Sequence, residues 1–508
     1  MREHLARVHS AELEGIHAKL IEVEVDLNVG LHAFNIVGLA DKALNEARER
    51  VNSSLKNSGV KPPNRENRKI TVNLAPADVK KAGAQYDLAI AIGYLLATHQ
   101  IKKFETHDKI FMGELALDGR LRPIHGALNI AHMAAERGFQ FLFLPKENAN
   151  EAAVVKKVKV VSVENLLEAI EIIETRRPLV PHTYEPPRPL TSNAPDFADI
   201  KGQENAKRAL MIAAAGGHNL LMSGPPGVGK SLLAHAMVGI LPPMNLDESI
   251  EVTKVWSAAG IPVGGLLASR PFRAPHQTAT LPAIVGGGSD PKPGEISLAH
   301  RGILFLDEFP EFQRHIVESL RAPMEMGAVR VARARGTLSF PARFTLVAAM
   351  NPCPCGYYGD QEKDCKCAAF EVIRYQKKIS GPIVDRIDLH VSVPRVPIEE
   401  LRTRSSSAIS SKTIIETIAA ARALQESRFK NLSISTNAEM NSRQTENLIH
   451  LQPAAETFLE KITKTNLSPR SYFRLLKTAR TIADLESQES VGAEHVAEAW
   501  SYRIREEA

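Results

Sequence analysis

The sequence predicts an α/β protein with a parallel sheet in its central part and helices in its C-terminal part. Residues 196–395 alternate buried-strand and helix patterns around glycine-rich turns, which is typical of parallel sheets. From residue 396 onward, the pattern is helical. Nearer the N-terminus, segments such as KLIEVEVDL alternate apolar and polar residues, as half-buried strands do. We therefore expect a mixed α/β domain, a parallel α/β core and a helical region, in that order.

Length and composition limit the class of protein. The 508 residues are 44% hydrophobic, 24% charged and 5% aromatic, which is ordinary for a globular protein of roughly three domains. The net charge of +5 permits a polyanionic partner without requiring one. The N-terminus lacks the apolar core of a signal peptide, and no segment approaches the roughly 18 apolar residues of a membrane helix. We expect a cytoplasmic protein with reduced thiols and no membrane partner.

The individual elements follow from local patterns. In the first domain, KLIEVEVDL and RKITVNLAP predict strands, whereas YDLAIAIGYLLATH and LNEARERVNSSLKNSG predict helices, the latter ending at Gly59. GALNIAHMAAERGFQFLFLP predicts a helix, a glycine stop and a buried strand. The C-terminal segments SKTIIETIAAARALQESRF, PAAETFLEKI, SPRSYFRLLKTARTIADLES and GAEHVAEAWSYRI predict helices.

Changes in composition give the expected boundaries. The mixed domain spans residues 1–178, the proline-rich linker 179–195, the core 196–395 and the helical region 396–508. Within the core we expect an insert at about 250–300, a β-hairpin at about 327–343 and a cysteine loop at 353–367.

A nucleotide site is predicted where NLLMSGPPGVGKSLLAHAMVG reads as a strand, a G-x-x-x-x-G-K-S loop and a helix. Such a loop wraps backbone N–H groups around phosphates, and the helix N-terminus adds its positive dipole end. Lys230 would reach the β- and γ-phosphates of ATP, and Ser231 would bind Mg²⁺. The predicted loop comprises Gly224, Pro225, Pro226, Gly227, Val228, Gly229, Lys230 and Ser231.

Two further buried strands place polar side chains for hydrolysis. ILFL ends at Asp307 and Glu308, of which Asp307 would hold the Mg²⁺ and Glu308 would polarise the attacking water. An ordinary acidic cap is the alternative. RFTLVAAMN ends at Asn351, whose amide can hydrogen-bond that water or the γ-phosphate without adding charge.

All four cysteines of the chain lie within one short segment. They follow the pattern C-x-C, nine residues, C-x-C, which suits a tetrahedral zinc site. Two disulfides or four unliganded thiols are the alternatives, and reduced thiols in polar surroundings favour Zn²⁺. The predicted ligands are Cys353, Cys355, Cys365 and Cys367.

A basic segment indicates a site for nucleic acid. GAVRVARARGTLSFPARF alternates arginine with small apolar residues, turns at Gly336 and contains no acidic residue. A cationic hairpin of this kind can follow a phosphate backbone without reading bases, although a solvated basic edge strand has the same pattern. The candidate DNA contacts here are Arg330, Arg333, Arg335 and Arg343.

The order of these motifs resembles an AAA+ ATPase of the magnesium-chelatase/MCM-like branch. RPFRAPHQTATLPAIVGGG, PKPGEISLAHRGILFLDEFPEF and NPCPCGYYGD are more specific and resemble the YifB/ComM family of magnesium-chelatase-like proteins, as does NIVGLADKALNEARERVNSSLKNSG. The resemblance covers nearly the whole chain. It implies Walker A roles for residues 224–231, Walker B roles for Asp307 and Glu308, and a sensor 1 role for Asn351.

The same resemblance implies roles for four arginines. Arg386 in GPIVDRID would be the arginine finger that enters a neighbouring subunit's site, and Arg470 in SPRSYFRLL would be sensor 2 on a lid helix. A surface arginine and a solvated helix face are the respective alternatives. The insert resembles a helix-2 insert, which together with the basic hairpin would line the pore of a ring and would contribute Arg270 and Arg273. We interpret His276 of the insert as a hydrogen-bonding loop residue rather than a metal ligand.

The first domain resembles the Lon protease domain, which has an S5 domain 2-like fold, with one departure. Gln85 stands where the nucleophilic serine would fall, and the position of the catalytic lysine falls near Ile130. Neither a hydroxyl nucleophile nor an amine base is present at those positions. We therefore expect a retained fold without peptidase chemistry.

The family resemblance implies a homohexameric, ATP-driven DNA helicase that promotes branch migration during recombination and natural transformation. Its cofactors would be ATP, Mg²⁺ and Zn²⁺, and its partners single-stranded and branched DNA, with recombinase-bound DNA intermediates as candidates. A chelatase-like ATPase that remodels a partner protein is the alternative, which the basic hairpin disfavours. An ATP-dependent peptidase is disfavoured by Gln85 and Ile130.

Overall fold

The computed structural model describes residues 4–38, 42–65, 67–186, 194–288, 291–333, 336–360, 362–397, 399, 409–463 and 467–503. The chain divides into two compact units, which are considered separately. The first comprises Met1–Pro189, Leu246–Ala268 and Ala332–Phe340, and the second comprises Leu190–Asn245, Ser269–Val331 and Pro341–Ala508. Two short segments of the predicted core therefore group with the N-terminal part of the chain.

The first unit is built on a seven-stranded mixed sheet. Its strands are β1 (Leu5–Glu14), β2 (His17–Val29), β3 (Ala33–Val37), β4 (Arg68–Ala75), β5 (Lys109–Phe111), β8 (Phe141–Pro145) and β9 (Lys159–Val163). Their order is β3-β4-β2-β1-β5-β8-β9, with antiparallel pairs on both sides of β2 and parallel pairs elsewhere. A separate ribbon pairs β6 (Glu114–Leu115) with β7 (Leu121–Arg122). The predicted strands in KLIEVEVDL and RKITVNLAP are confirmed as parts of β2 and β4.

Helices cover this sheet. They are α1 (Lys42–Asn57), α2 (Asp87–Ala97), α3 (Ala127–Glu136), α4 (Lys146–Ala152) and α5 (Leu166–Ile173), with a 3₁₀ turn at Pro63–Arg65. From the insert, α8 (Leu246–Ala259) packs on α3. Every residue of α2 is buried, as its apolar sequence predicts. Hydrogen bonds attach α8 to this unit, because the Gly126 amide donates to the Ser257 carbonyl at 3.1 Å and Ser257 Oγ donates to Glu151 Oε1 at 3.1 Å.

Gln85 and Ile130, which stand where a peptidase would have its serine and lysine, make contacts inside the first unit. Gln85 Nε2 donates to Glu12 Oε2 at 3.1 Å, and the Tyr86 hydroxyl donates to the same oxygen. Ile130 is 1% exposed and belongs to the hydrophobic core around α3.

The second unit contains a five-stranded, fully parallel sheet, as predicted. Its strands are β10 (Leu220–Ser223), β11 (Phe272–Arg273), β14 (Ile303–Leu306), β17 (Thr345–Met350) and β18 (Leu389–Ser392), in the order β11-β14-β17-β10-β18. A small sheet of this unit pairs β12 (Gly286–Gly287) with β13 (Lys292–Pro293). A separate two-stranded ribbon pairs β15 (Ala328–Arg333) with β16 (Gly336–Pro341), and its residues Ala332–Phe340 group with the first unit. The carboxyl ends of β10, β14 and β17 meet at one edge of the sheet, where the predicted nucleotide residues follow.

Helices of the second unit lie before, between and after these strands. Those before β18 are α6 (Glu204–Gly216), α7 (Lys230–Val238), α9 (Leu281–Val285), α10 (Glu295–Leu298), α11 (Arg314–Ser319), α12 (Arg321–Met326), α13 (Ala369–Gln376) and α14 (Gly381–Val384). Those after it are α15 (Ser411–Arg428), α16 (Ser442–Leu448), α17 (Pro453–Thr463), α18 (Pro469–Leu485) and α19 (Ala493–Ser501), and 3₁₀ turns lie at Phe197–Asp199, Phe309–Glu311 and Asn437–Glu439. The predicted helical region is thus confirmed.

The start of α18 is fixed by its sequence. The Ser468 side chain accepts a hydrogen bond from the Ser471 amide, and Pro469 occupies the first turn, where its missing N–H costs nothing. None of the helices in the described part of the chain has the length and apolar character that crossing a membrane requires.

Candidate nucleotide site

The predicted phosphate-binding loop connects β10 to α7. Gly227 and Gly229 have φ values of +80° and +91°, in the left-handed region that favours glycine. A Cβ atom at either position would meet no atom within 4 Å, so the backbone is open on this side. Lys230 begins the nine-residue helix α7, whose N-terminal amides and dipole suit an anion. The loop therefore has both the space and the donors that phosphate groups require.

Lys230 links this loop to the end of β17. Its Nζ atom donates to the carbonyl oxygens of Gly224 and Pro225 at 2.6 and 2.9 Å, and to Asn351 Oδ1 at 3.1 Å. Burial lowers the pKa of Lys230, and the nearby carboxylates of Asp307 and Glu308 oppose that shift. The structure thus brings the predicted phosphate-binding lysine and the predicted sensor 1 amide into direct contact.

Asp307 connects the other two predicted groups. Its Oδ2 atom accepts a hydrogen bond from Ser231 Oγ at 2.7 Å, and its Oδ1 atom accepts one from the Glu308 amide at 2.9 Å. A hydroxyl and a carboxylate at this distance are suitable oxygen ligands for Mg²⁺. Ser231 and Asp307 would hold that ion, as their positions in the sequence predict.

Glu308 has a backbone conformation that few side chains adopt. Its φ and ψ are +50° and +44°, a left-handed conformation that costs about 1–3 kcal/mol for a residue other than glycine. The conformation directs the chain into the turn Phe309–Glu311 directly after β14. Strain of this kind is concentrated at functional sites, and here it falls on the residue predicted to polarise water.

A cavity of about 380 Å³ adjoins Glu308 and Asn351. Tyr375 also lines it, and burial together with the charges of Glu311 and Glu308 raises the pKa of the tyrosine hydroxyl to about 12. Tyr375 is therefore a neutral hydrogen-bond donor at ordinary pH. The cavity provides room beside the predicted hydrolytic residues.

The four cysteines converge as a metal site requires. Their sulfur atoms all lie within 4.8 Å of one another, and Cys353 Sγ is 3.4 Å from Cys355 Sγ and 3.7 Å from Cys365 Sγ. Zn–S bonds of about 2.3 Å in a tetrahedron separate sulfur atoms by about 3.8 Å. A disulfide would require about 2.05 Å, and all four thiols are free. The geometry therefore fits a zinc site with four cysteine ligands.

The thiols of this cluster differ in their tendency to ionise. Although a backbone hydrogen bond opposes each shift, burial and the neighbouring sulfur atoms of Cys353 and Cys355 raise the pKa of Cys365 and raise that of Cys367 to about 12. The backbone amides of Tyr357 and Lys366 lower the pKa of the Cys355 thiol to about 6. Zinc binds the thiolate form, so donors that stabilise this anion also support the metal. Zn²⁺ in the site would be enclosed by four protein ligands, which is the arrangement of a structural ion.

The cysteine loop packs against the phosphate-binding loop. Gly356, at φ +86°, is so close to Pro226 that an added Cβ atom would lie 2.7 Å from Pro226 Cδ. Between the two cysteine pairs, Arg395 Nε donates to Asp360 Oδ2 at 2.8 Å, and its guanidinium lies 5.6 Å from the Tyr357 ring centroid. These contacts hold the cysteine loop directly beside the nucleotide site.

The predicted arginine finger and sensor 2 both contact one acidic residue that the sequence did not suggest. Arg386 Nη2 lies 2.6 Å from Glu325 Oε1, and Arg470 Nη2 lies 2.8 Å from the same oxygen. Only 5% of the Arg386 side chain is exposed, compared with 46% for Arg470. In this conformation, Arg386 is neither a surface arginine nor accessible to a neighbouring subunit.

Three candidate DNA contacts have intramolecular partners. Arg270 donates to the carbonyl oxygens of Pro242 and Arg301 at 2.7 and 2.8 Å. Arg273 forms two hydrogen bonds with Glu295 at 2.6 and 2.7 Å. Arg343 Nη1 lies 3.2 Å from Glu439 Oε2. These partners give Arg270, Arg273 and Arg343 structural roles, so we restrict the proposed DNA surface to the hairpin.

The hairpin itself is present as β15 and β16. Arg330 is exposed on β15. The side chain of Arg333 and the whole of Arg335 lie outside the described residues. In the insert, His276 Nδ1 lies 2.8 Å from Thr278 Oγ1, which agrees with its interpretation as a hydrogen-bonding loop residue.

Comparison with known protein families identifies three matching regions. Residues 196–401 match the family described as magnesium chelatase, subunit ChlI, residues 23–148 match subunit ChlI of Mg-chelatase, and residues 408–503 match the ChlI C-terminal region. Together these matches cover both units and include every residue of the candidate site.

Similar proteins match along nearly the whole chain. Competence protein ComM of Haemophilus influenzae is 42% identical over 505 residues, which are 98% of this chain and 97% of that protein. The uncharacterized protein YifB of Salmonella typhimurium is 41% identical over the same shares. The magnesium-chelatase 38 kDa subunit of Rhodobacter capsulatus is 26% identical over 345 residues, covering 61% of this chain and 87% of the subunit.

Proposed function

The chain belongs to the YifB/ComM family of magnesium-chelatase-like AAA+ proteins, and from this premise we propose that it is an ATP-driven DNA motor. In this proposal, a homohexamer hydrolyses ATP to promote branch migration during recombination and natural transformation. Its substrates are single-stranded and branched DNA, including recombinase-bound intermediates. The name of the Haemophilus relative, a competence protein, supports the link to transformation.

The contact of Lys230 with Asn351, beside that of Ser231 with Asp307, is the observation that carries the ATPase part of the proposal. Asp307 and Asn351 follow the adjacent parallel strands β14 and β17, and Lys230 and Ser231 begin α7. ATP with Mg²⁺ would supply the phosphoryl group that is transferred to water. Lys230 and the open glycine backbone would bind its phosphates, and Ser231 with Asp307 would hold the metal ion.

The remaining residues would orient and activate the nucleophile. Glu308 would accept a proton from the attacking water, because it lines the same cavity as Asn351 and directly follows the Mg²⁺-binding candidate Asp307. The Asn351 amide would orient that water or a phosphate oxygen without adding charge. Arg470 and Arg386 would stabilise the charge that develops on the transferred group.

A structural Zn²⁺ would stabilise the loop that adjoins this site. The loop between the two cysteine pairs is polar and cannot bury a core of its own, so metal binding would contribute its folding free energy. Because Gly356 contacts Pro226, a cysteine loop ordered by zinc would also hold the phosphate-binding loop in position.

Arg330 on the exposed face of the hairpin supports DNA as the substrate. A basic hairpin attracts a phosphate backbone through charge and does not require a particular sequence. A second candidate function, remodelling of a partner protein, is supported by similarity to the magnesium-chelatase 38 kDa subunit.

Stimulation of ATP hydrolysis by DNA distinguishes these functions. The purified protein should hydrolyse ATP faster when a single-stranded oligonucleotide is added, and the Lys230→Ala variant should not hydrolyse it under either condition. Hydrolysis that is unaffected by single-stranded, duplex and branched DNA would contradict the DNA motor and favour the protein-remodelling function.

A further inference from the structure

Glu325 joins two arginines that lie far apart in the sequence. It belongs to α12, whereas Arg386 follows α14 and Arg470 lies in the first turn of α18. One oxygen of its carboxylate contacts the Nη2 atoms of both guanidinium groups, at 2.6 Å for Arg386 and 2.8 Å for Arg470. A single carboxylate oxygen therefore faces two positive charges.

Arg386 is confined in this arrangement. Its Nη1 atom donates to the Pro382 carbonyl at 2.5 Å, and its Nε atom is buried without a hydrogen-bond partner in the described part of the structure. Burial lowers the pKa of Arg386, and Glu325 is the charge that opposes this shift. The guanidinium must leave this position before it can contact a phosphate group on another subunit.

Helix α18 is attached to the same segment by a second arginine. Arg474 Nη1 donates to the Arg386 carbonyl at 2.8 Å and to Asp388 Oδ1 at 2.5 Å. Asp388 is buried, and although burial opposes its ionisation, Arg474 and His218 hold its pKa well below the usual range. The segment that carries Arg386 and the helix that carries Arg470 are thus joined by two sets of polar contacts, so movement of one affects the other.

We propose that Glu325 is a positioning residue that retains Arg386 and Arg470 until the terminal phosphate of ATP replaces its carboxylate, and for Arg386 that phosphate belongs to the ATP of a neighbouring subunit. This inference rests on the proposed ATPase function. Carboxylate and phosphate oxygens are interchangeable partners for guanidinium groups, so the exchange preserves charge pairing while it moves the arginines. ADP lacks the terminal phosphate and cannot drive the exchange. Glu325 therefore makes the release of both arginines specific for the triphosphate.

A purely structural role for Glu325 has different consequences. Removal of a structural carboxylate would leave Arg386 buried and uncompensated, and the resulting loss of stability would weaken the binding of ATP and ADP together. Removal of a competing carboxylate would instead favour ATP alone, because only ATP carries the phosphate that replaces it. The ratio of the two affinities separates these roles.

The test compares ATP and ADP binding by calorimetry in the Glu308→Gln background, which prevents turnover. Adding Glu325→Gln should tighten ATP binding about fivefold, the size expected when one partly exposed ion pair no longer competes. ADP binding should change by less than about twofold on the same reasoning. Glu318→Gln is the matched control, because this carboxylate lies on neighbouring α11 and pairs with Arg321 at 3.1 Å, and its ATP-to-ADP ratio should equal that of the parent.

An unchanged ratio, or equal weakening of both nucleotides, would overturn the role of Glu325 while leaving the ATPase function intact. A Glu308→Gln parent that binds no ATP would overturn the proposed function as well. Glu325→Asp is the second variant if Glu325→Gln does not fold. Its carboxylate lies one methylene group closer to the α12 backbone, so its oxygen no longer reaches the point between the two Nη2 atoms. The same gain in ATP binding is therefore expected, and its absence would overturn the proposal.

Discussion

Gly356 of the cysteine loop packs against Pro226 of the phosphate-binding loop, with space for a hydrogen atom but not for a methyl group. A Cβ atom at Gly356 would lie 2.7 Å from Pro226 Cδ, and the backbone of Gly356 has a φ of +86°. Pro226 is rigid and precedes the open glycines that would hold phosphate. Through this contact, we expect the cysteine loop to affect nucleotide binding although it carries none of the predicted hydrolytic residues.

Substitution of Gly356 should therefore weaken ATP binding. Gly356→Ala introduces a methyl group that displaces Pro226, and overpacking of this kind costs about 1–3 kcal/mol, so the dissociation constant for ATP should rise by about tenfold. Fluorescent-nucleotide titration measures the change. Gly359→Ala is the matched control, because it has a similar φ of +76° but a Cβ there meets no atom within 4 Å. Equal effects of the two substitutions would show that backbone strain, rather than the contact, is responsible.

The cysteine cluster should contain zinc. Protein purified without chelator should carry about one Zn²⁺ per chain by elemental analysis, since four thiolates complete a closed tetrahedral site. Cys353→Ser replaces a buried ligand and should reduce both the zinc content and the ATPase rate while the first unit stays folded. A zinc content below about half an equivalent, with all four thiols reactive, would refute the site.

Glu308 and Lys230 should have separable roles in the hydrolysis and the binding of ATP. Glu308→Gln keeps the size of the side chain but removes the base, so ATP should still bind while its hydrolysis falls by at least about a hundredfold. Lys230→Ala removes the ammonium that faces the phosphates and should abolish turnover. Binding and single-turnover assays distinguish the two variants. Wild-type hydrolysis by Glu308→Gln would show that another residue activates the water.

Local sequence patterns predicted the individual motifs of this site better than the contacts between residues of different motifs. The apolar run of β14, the glycines before Lys230 and the paired cysteines each carry a short-range signal, and the structure places them as expected. The contact of Gly356 with Pro226 and that of Glu325 with Arg386 join residues far apart in the chain, so no spacing indicates them.

Polar residues inside the first unit were also missed. Ser10 and Glu12 of strand β1 are polar but buried. The sequence of β1 therefore does not show the alternation of apolar and polar residues that predicts a half-buried strand. The partners of Ser10 and Glu12 explain their burial, because Ser10 Oγ lies 3.1 Å from Met112 Sδ and Glu12 accepts a hydrogen bond from Gln85. The grouping of helix α8 was not predictable from its position in the sequence either. It follows β10 and α7 of the second unit, but it groups with the first unit through contacts such as that of Ser257 with Glu151.

The hairpin should carry most of the electrostatic contact with DNA. Replacing Arg330, Arg333 and Arg335 together by alanine should weaken single-strand binding and reduce the slope of log K against log salt by up to about 2, because fewer counterions are released. ATP hydrolysis without DNA should persist. The control replaces three exposed cations of the first unit, Arg120, Arg122 and Lys146, which changes the net charge equally. Unchanged DNA affinity in the hairpin variant would place the DNA path elsewhere.

The movement of a DNA branch point by the purified protein tests the central claim most directly. A synthetic branched substrate with a fluorescent label on one strand reports the movement as strand release in a native gel. We predict release that requires hydrolysable ATP and that is lost in the Lys230→Ala and Glu308→Gln variants. ATP hydrolysis at full rate without any movement of the branch point, on substrates that the protein demonstrably binds, would contradict the account.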